Sequence, residues 1–345
     1  MKSLLGEIME QPEALERLIT EGYAEIQAVA DIIRTHDVRY ILIAARGSSD
    51  NAATYAKYLM GALQRLPVAL AAPSLHTVYH APPRLDGALV IAISQSGMSP
   101  DIVTVVQDAR TQGALTLAIT NALDSRLAQA SEYVIDLRAG QEHSVAATKT
   151  YTAELLALAL LVVAWAGDGR RLAQILALPQ AVNAALSQHE LIAQRAERYR
   201  YMTHCAVIAR GYNYATAYEI ALKLKEMTYS EANPYSSADF MHGPIAVVQP
   251  GFPVLAVAPS GPMSPNMMQL LHEVKQREAE LIVISDQDAP LELAQTPLRL
   301  PVAVEEWLSP ITAIIPGQLL AYYLALAKGV NPEQPRGLRK VTETH

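Results

Sequence analysis

The sequence matches itself at one offset, and this constrains the fold more than any single motif. YILIAARGSSDNAATYAKYLM (residues 40–60) resembles CAVIARGYNYATAYEIALKLKEM (205–227), with Gly47 and Gly211 164 positions apart. ALVIAISQSGMSPDIV (88–103) resembles VLAVAPSGPMSPNMM (254–268), with Gly97 and Gly261 again 164 apart. LTLAITN (115–121) pairs with ELIVISD (280–286), and EYVIDL (132–137) with PLRLPV (297–302). Four matched runs at nearly one spacing mean a tandem duplication. Each copy alternates short β-branched runs with helical stretches, the pattern of parallel strands covered on both faces. The predicted class is α/β: two tandem doubly wound parallel sheets, three-layer and flavodoxin-like.

Asp50 and Ser99 suit helix N-caps, and Pro100 suits a first helical turn. A helical arm over about residues 1–35 precedes the first copy, and a helical region over about 170–200 links the copies. The expected divisions are 1–190 (arm plus first copy), 191–332 (second copy) and 333–345 (a tail).

The chain is 51% hydrophobic and carries a formal net charge of −7, with no basic run of five, which argues against nucleic-acid binding. Its one cysteine, Cys205, lies in an apolar run and reads as packing. The opening MKSLLGEIMEQPEALERL mixes charged and apolar residues, unlike a secretory signal. The apolar run LLALALLVVAWA (155–166) is short for a bilayer and reads as a buried helix, so a cytoplasmic, membrane-free protein is expected. His76 and His80 are four apart but lack a carboxylate-rich context, so no metal is expected.

Two loops of the first copy, ARGSSD (45–50) and SQSGMS (94–99), fall at strand ends before helices. Amides at a helix start, with hydroxyls beside them, suit a single phosphate monoester, although ordinary capping explains the same residues. Neither a P-loop nor GxGxxG is present. The second copy has APSGPMS in place of SQSG, and Pro259 and Pro262 remove two donors, so its anion site is expected to be lost. In ALKLKEMTYSEA, Lys223 and Glu226 share a helix face, for which spacing by itself favours a solvated ion-pair face with Glu219 and Lys225. His242 precedes Gly-Pro at a turn. Lys149, at the start of a long helix between Thr148 and Thr150, opposes the helix dipole and calls for an anion nearby.

ISQSG, SVAATKTYTAEL, EIALKLKEMTYSEA, HGPIAVV and QPRGLRK together resemble the isomerase half of the glutamine–fructose-6-phosphate aminotransferases, which is a pair of sugar-isomerase (SIS) domains. The resemblance covers nearly the whole chain, and LKLKE, HGP and QPR-x-L-x-K in combination are specific to that branch. It implies that Ser48, Ser49, Ser94, Gln95, Ser96 and Ser99 hold a sugar phosphate, and that Val145 and Thr148 line the sugar pocket. Glu226 would move the proton between C1 and C2, and His242, from the neighbouring subunit of a homodimer, would assist ring opening. Lys340 would carry the imine-forming amine, with Lys223 near the sugar, Arg336 anchoring the tail and the tail closing the site. No cofactor is implied.

Departures from the pattern are Arg339, where the family has a small residue, SSADFM before HGP, and an opening MKSLL without a glutaminase cysteine. The expected activity is a phosphosugar aldose–ketose isomerase-type reaction, an isomerising deamination of glucosamine 6-phosphate to fructose 6-phosphate and ammonia. The alternatives are a fructosamine-6-phosphate deglycase, a simple phosphosugar isomerase, or a non-catalytic sugar-phosphate sensor. Retention of Glu226, His242 and Lys340 together argues against the sensor.

Overall fold

Residues 3–340 are described by a computed structural model, in which the chain divides into two compact units. Residues 341–345, the end of the expected tail, lie outside the described residues.

The first unit comprises Glu13–His143 and Ala147–Leu176, with Arg339 and Lys340. Its strands β1 (Tyr40–Ala44), β2 (Val68–Leu70), β3 (Ala88–Ser94), β4 (Leu115–Thr120) and β5 (Tyr133–Asp136) form one parallel sheet in the order β2-β1-β3-β4-β5. All seven residues of β3 are buried, as a central strand covered on both faces requires. Its main helices are α1 (Ser48–Leu63), α2 (Pro100–Thr111) and α3 (Lys149–Ala166).

The second unit comprises Ala177–Leu338 with residues 144–146 and the described part of the first twelve. Its strands β6 (His204–Ala209), β7 (Glu231–Ser236), β8 (Pro253–Val257), β9 (Glu280–Ser285) and β10 (Thr296–Arg299) run in the order β10-β9-β8-β6-β7, all parallel. Its main helices are α4 (Tyr214–Thr228), α5 (Ser264–Gln276) and α6 (Ser309–Ala327). Read from the opposite edge, the second order repeats the first strand for strand. The duplication therefore extends to β2 and β7, whose sequences VAL and EANPYS share no recognisable pattern. The predicted fold class, with two doubly wound parallel sheets, is the one observed.

Two local expectations need correcting. Asp50 is not an N-cap: Gly47, at φ 56°, turns the chain into α1, and Asp50 sits in its first turn. Ser99 and Pro100 occupy the cap and first-turn positions of α2 as expected. The apolar run 155–166 belongs to the longer helix α3, which with α6 is long and apolar enough to cross a membrane by length and composition. Both are mostly buried (89% and 78% of the apolar window), as the core helices of a globular fold are. Leu155, Leu156, Leu158, Leu160 and Leu161 in α3 are each fully buried, and each stabilises the fold by about 1.5–3 kcal/mol relative to exposure. In α6, Gly317 permits close approach to α4, since a Cβ there would lie 2.4 Å from Ile220 Cγ1.

Candidate functional site

The strand order of the first unit reverses direction between β1 and β3, so the loops that follow them flank a crevice at the carboxyl ends of the strands, where doubly wound sheets bind ligands. Those loops are ARGSSD and SQSGMS. They are tied together by Arg46, whose Nε and Nη2 both lie 2.8 Å from Asp101 Oδ2. The ARGSSD loop thus carries a cation, Arg46, that is paired with Asp101.

Within the SQSG turn, Ser94 Oγ accepts the Gly97 N–H (3.1 Å) and Ser96 Oγ the Met98 N–H (3.4 Å). Ser99 caps α2 by its backbone only, so its hydroxyl is not spent on the cap. Ser49 is buried and donates its hydroxyl to Glu154 Oε1 on α3 (2.7 Å), while Ser48 is the first residue of α1.

Gly97 adopts φ 61°, and a Cβ there would lie 2.1 Å from Ser125 Oγ. Ser125 cannot simply move aside, because its Oγ accepts the Ala128 N–H as a helix cap. Gly97→Ala is expected to cost about 1–3 kcal/mol of stability and to distort the loop. A thermal melt checks the first effect and phosphate binding the second; a variant with wild-type values for both would show that the turn is not constrained.

A cavity of about 620 Å³ opens beside this loop, lined by Gln95, Ser96, Asn121, Arg138, Glu142 and Lys340 among others. Glu142 was not singled out in the sequence. It is the anion that the lysine-bearing start of α3 calls for: its Oε1 accepts the Thr148 N–H at 2.8 Å and the Thr150 N–H at 3.3 Å. Its Oε2 lies 3.2 Å from Lys340 Nζ. Burial would push this carboxyl up, but the Lys340 ammonium and the Thr150 and Thr148 donors together hold it below the usual carboxylate range. Arg339 is exposed. Val145 belongs with the second unit, where the preceding Ser144 N–H donates to Glu7 Oε2 (3.0 Å).

In the second unit, Lys223 and Glu226 do not form a solvated face. Lys223 is fully buried in α4, between Glu219 (3.3 Å, also fully buried) and Glu226 (2.6 Å, 21% exposed). Burial pushes its ammonium down, yet the two carboxylates outweigh this and raise it above the ordinary lysine value. Lys223 is thus a fixed cation, and Glu226 is the more accessible carboxylate beside it. His242 follows the short helix Ser237–Met241 at an exposed turn and lines a separate cavity of about 320 Å³ with Arg210, Asn266 and Gln269. Arg336 stacks its guanidinium 4.6 Å from the Tyr229 ring centre, and its N–H donates to the Tyr229 hydroxyl (2.7 Å).

In the equivalent loops of the second unit, backbone amides are engaged by the protein's own carboxylates. Glu306 packs against Gly261, and its Oε1 accepts the Met263 N–H at the start of α5 (3.3 Å). Asp286 accepts the Ser260 N–H (2.7 Å). Carboxylates thus occupy amides that could otherwise meet a phosphate. Cys205 is buried, its thiol pushed up to about 12 by burial, which makes it a packing residue.

Comparison with known proteins places these features in a family. The SIS domain family matches residues 36–164 and 202–328. A glutamine–fructose-6-phosphate aminotransferase (isomerizing) from Pyrococcus horikoshii is 36% identical over 343 residues, covering 98% of this chain and 57% of that protein. The chain thus spans somewhat over half the length of this curated relative. The C-terminal domain of glucosamine-fructose-6-phosphate aminotransferase from Francisella tularensis superposes with a TM-score of 0.86 at 30% identity, covering 96% of this chain and 98% of that one. A Silicibacter pomeroyi DSS-3 protein presented as a candidate phosphosugar isomerase gives a TM-score of 0.84 at 34% identity, covering 95% and 99%. The resemblance to the isomerase half of the aminotransferases is therefore upheld, and the chain belongs to the SIS domain family, with two copies of that domain.

Proposed function

We propose that the protein is a phosphosugar isomerase-type enzyme that deaminates glucosamine 6-phosphate, giving fructose 6-phosphate and ammonia. The observation that carries this reading is the buried Glu219–Lys223–Glu226 cluster, which leaves one carboxylate accessible beside a permanent cation. Such a pair suits proton transfer at a carbon made acidic by an adjacent carbonyl. Similarity to a domain of an amino-sugar-forming aminotransferase supports the choice of substrate. A site that interconverts the C2 amine and ketone works in both directions by microscopic reversibility, and water as the other reactant drives loss of ammonia.

In this reading Ser48, Ser49, Ser94, Gln95, Ser96 and Ser99 hold the phosphate, and Val145 and Thr148 contact the sugar. His242 of the partner subunit in a homodimer assists ring opening. Glu226 removes the C2 proton of the open-chain aldehyde and returns it to C1, leaving a C2 imine that water hydrolyses to the ketone and ammonia. Lys223, held as an ammonium, favours the enolate-like charge that develops between the two carbons. Lys340 offers its amine to the open-chain carbonyl, and Arg339 shapes the pocket about C1 and C2.

The test is ammonia and fructose 6-phosphate formation by purified protein from glucosamine 6-phosphate. No release above a Glu226→Gln control rejects the deaminase. Interconversion of hexose 6-phosphates without ammonia indicates a simple isomerase, and release of an amine from a fructosamine 6-phosphate indicates a deglycase. Binding without turnover of any of them indicates a sensor.

A further inference from the structure

The Glu142 carboxylate takes no step in the proposed reaction, yet it gathers five donors within its unit. Oε1 accepts from the Thr148 N–H (2.8 Å), the Thr148 hydroxyl (3.1 Å) and the Thr150 N–H (3.3 Å). Oε2 accepts from the Thr150 hydroxyl (2.6 Å) and the Lys340 ammonium (3.2 Å). The side chain is fully buried, whereas that of Lys340 is 26% exposed. A helix cap alone needs one or two of these contacts. The contact that serves no cap reaches across 198 positions of sequence to Lys340, which lines the same cavity as Gln95 and Ser96.

The other charged groups of that cavity are already engaged. Arg138 pairs with Glu25 (3.2 Å) and Glu21 (3.8 Å), and Arg17 Nε donates to the Arg138 carbonyl (3.2 Å). Asp136 accepts the Arg138 N–H (3.0 Å). His143 and Lys149 flank the Glu142 segment in sequence, and Lys149 is buried. Glu142 is thus a carboxylate that Lys340 meets among the described residues, and its saturation by threonine donors leaves it little capacity to take the ammonium's proton.

We propose that Glu142 is a positioning residue: it anchors the side chain of Lys340 at the cavity wall beside the SQSG loop, joining the 339–340 segment to the start of α3. The identity of the carbonyl that Lys340 serves rests on the deaminase reading, but the anchoring does not.

The experiment is trace acetylation of the full chain by acetic anhydride, read at Lys340 by mass spectrometry against exposed Lys57 as internal reference. Glu142→Gln is expected to raise Lys340 labelling about tenfold, because the amine loses its charged partner. Thr150→Val removes one capping hydrogen bond but keeps the carboxylate, so it is expected to lower the melting temperature and leave Lys340 labelling unchanged. Equal labelling in wild type and Glu142→Gln overturns the proposal. An equal rise in Thr150→Val also overturns it, since that result assigns the effect to helix capping. Should Glu142→Gln fail to fold, Glu142→Asp, with its carboxylate one methylene short, is read in the same way. No substrate is involved, so failure of the deaminase assay leaves this result standing.

Discussion

The Glu226→Gln protein is expected to fold normally and to lose turnover by a factor of about 10²–10⁴, the usual contribution of a positioned acid–base group. Glutamine keeps an oxygen that can accept from Lys223, now 2.6 Å from the carboxylate, so the buried cluster remains satisfied. What it removes is the ability to carry a proton. The loss should therefore fall on kcat, with KM little changed, because a proton transferred in the transition state contributes little to substrate binding. Steady-state kinetics with glucosamine 6-phosphate measure both. A variant within tenfold of wild type would remove Glu226 from the chemistry, and the proposed mechanism with it.

The second large effect is on stability. Lys223→Met deletes the cation from a site where Lys223 and Glu219 are both fully buried. Replacing one member of such a cluster leaves buried charge uncompensated, and about 3–5 kcal/mol of stability is expected to go. The pH dependence has the same sign in the two proteins but falls in different ranges. In wild type, the Lys223 ammonium titrates higher in the folded chain than in the unfolded one, because the pull of Glu219 and Glu226 outweighs burial. Its stabilisation is thus complete below the unfolded value of about 10.4 and is lost as the pH rises through the folded value. In Lys223→Met, the stranded carboxylates are relieved by protonation, so the deficit should shrink as the pH is lowered from neutrality. Denaturant midpoints across that range decide the matter. A deficit independent of pH would show that lost packing, not stranded charge, is what the substitution removes.

How far these features could be read in advance differs from residue to residue. Four of the five strand correspondences were visible as matched apolar runs, because buried parallel strands must be continuously hydrophobic. The β2–β7 correspondence was not, since β2 is a short and largely exposed edge strand on which burial imposes no pattern. The SQSG turn was legible through Gly97 and Pro100, whose backbone demands are local. Asp50 misled as a cap because Gly47 supplies the turn three residues earlier. The ion-pair cluster in α4 was legible as spacing but misread as a solvated face. A periodic pattern shows which residues share a side of a helix, and burial depends on what packs against that side. Glu142 left only an indirect trace, a lysine placed where a helix start repels it.

The sequence alone determined the duplication, the parallel α/β architecture and the residue types available for phosphate and proton chemistry, since all of these follow from periodicity and local backbone rules. Tertiary structure alone decided which charges are paired and which are buried. Glu142 meets Lys340 across 198 positions, and Glu306 engages the loop at Gly261 and Met263 that corresponds to the serine loop of the first copy. Such pairings depend on packing between segments distant in sequence, and electrostatic strength depends on exclusion of water. Neither is written in the order of residues along one strand or helix.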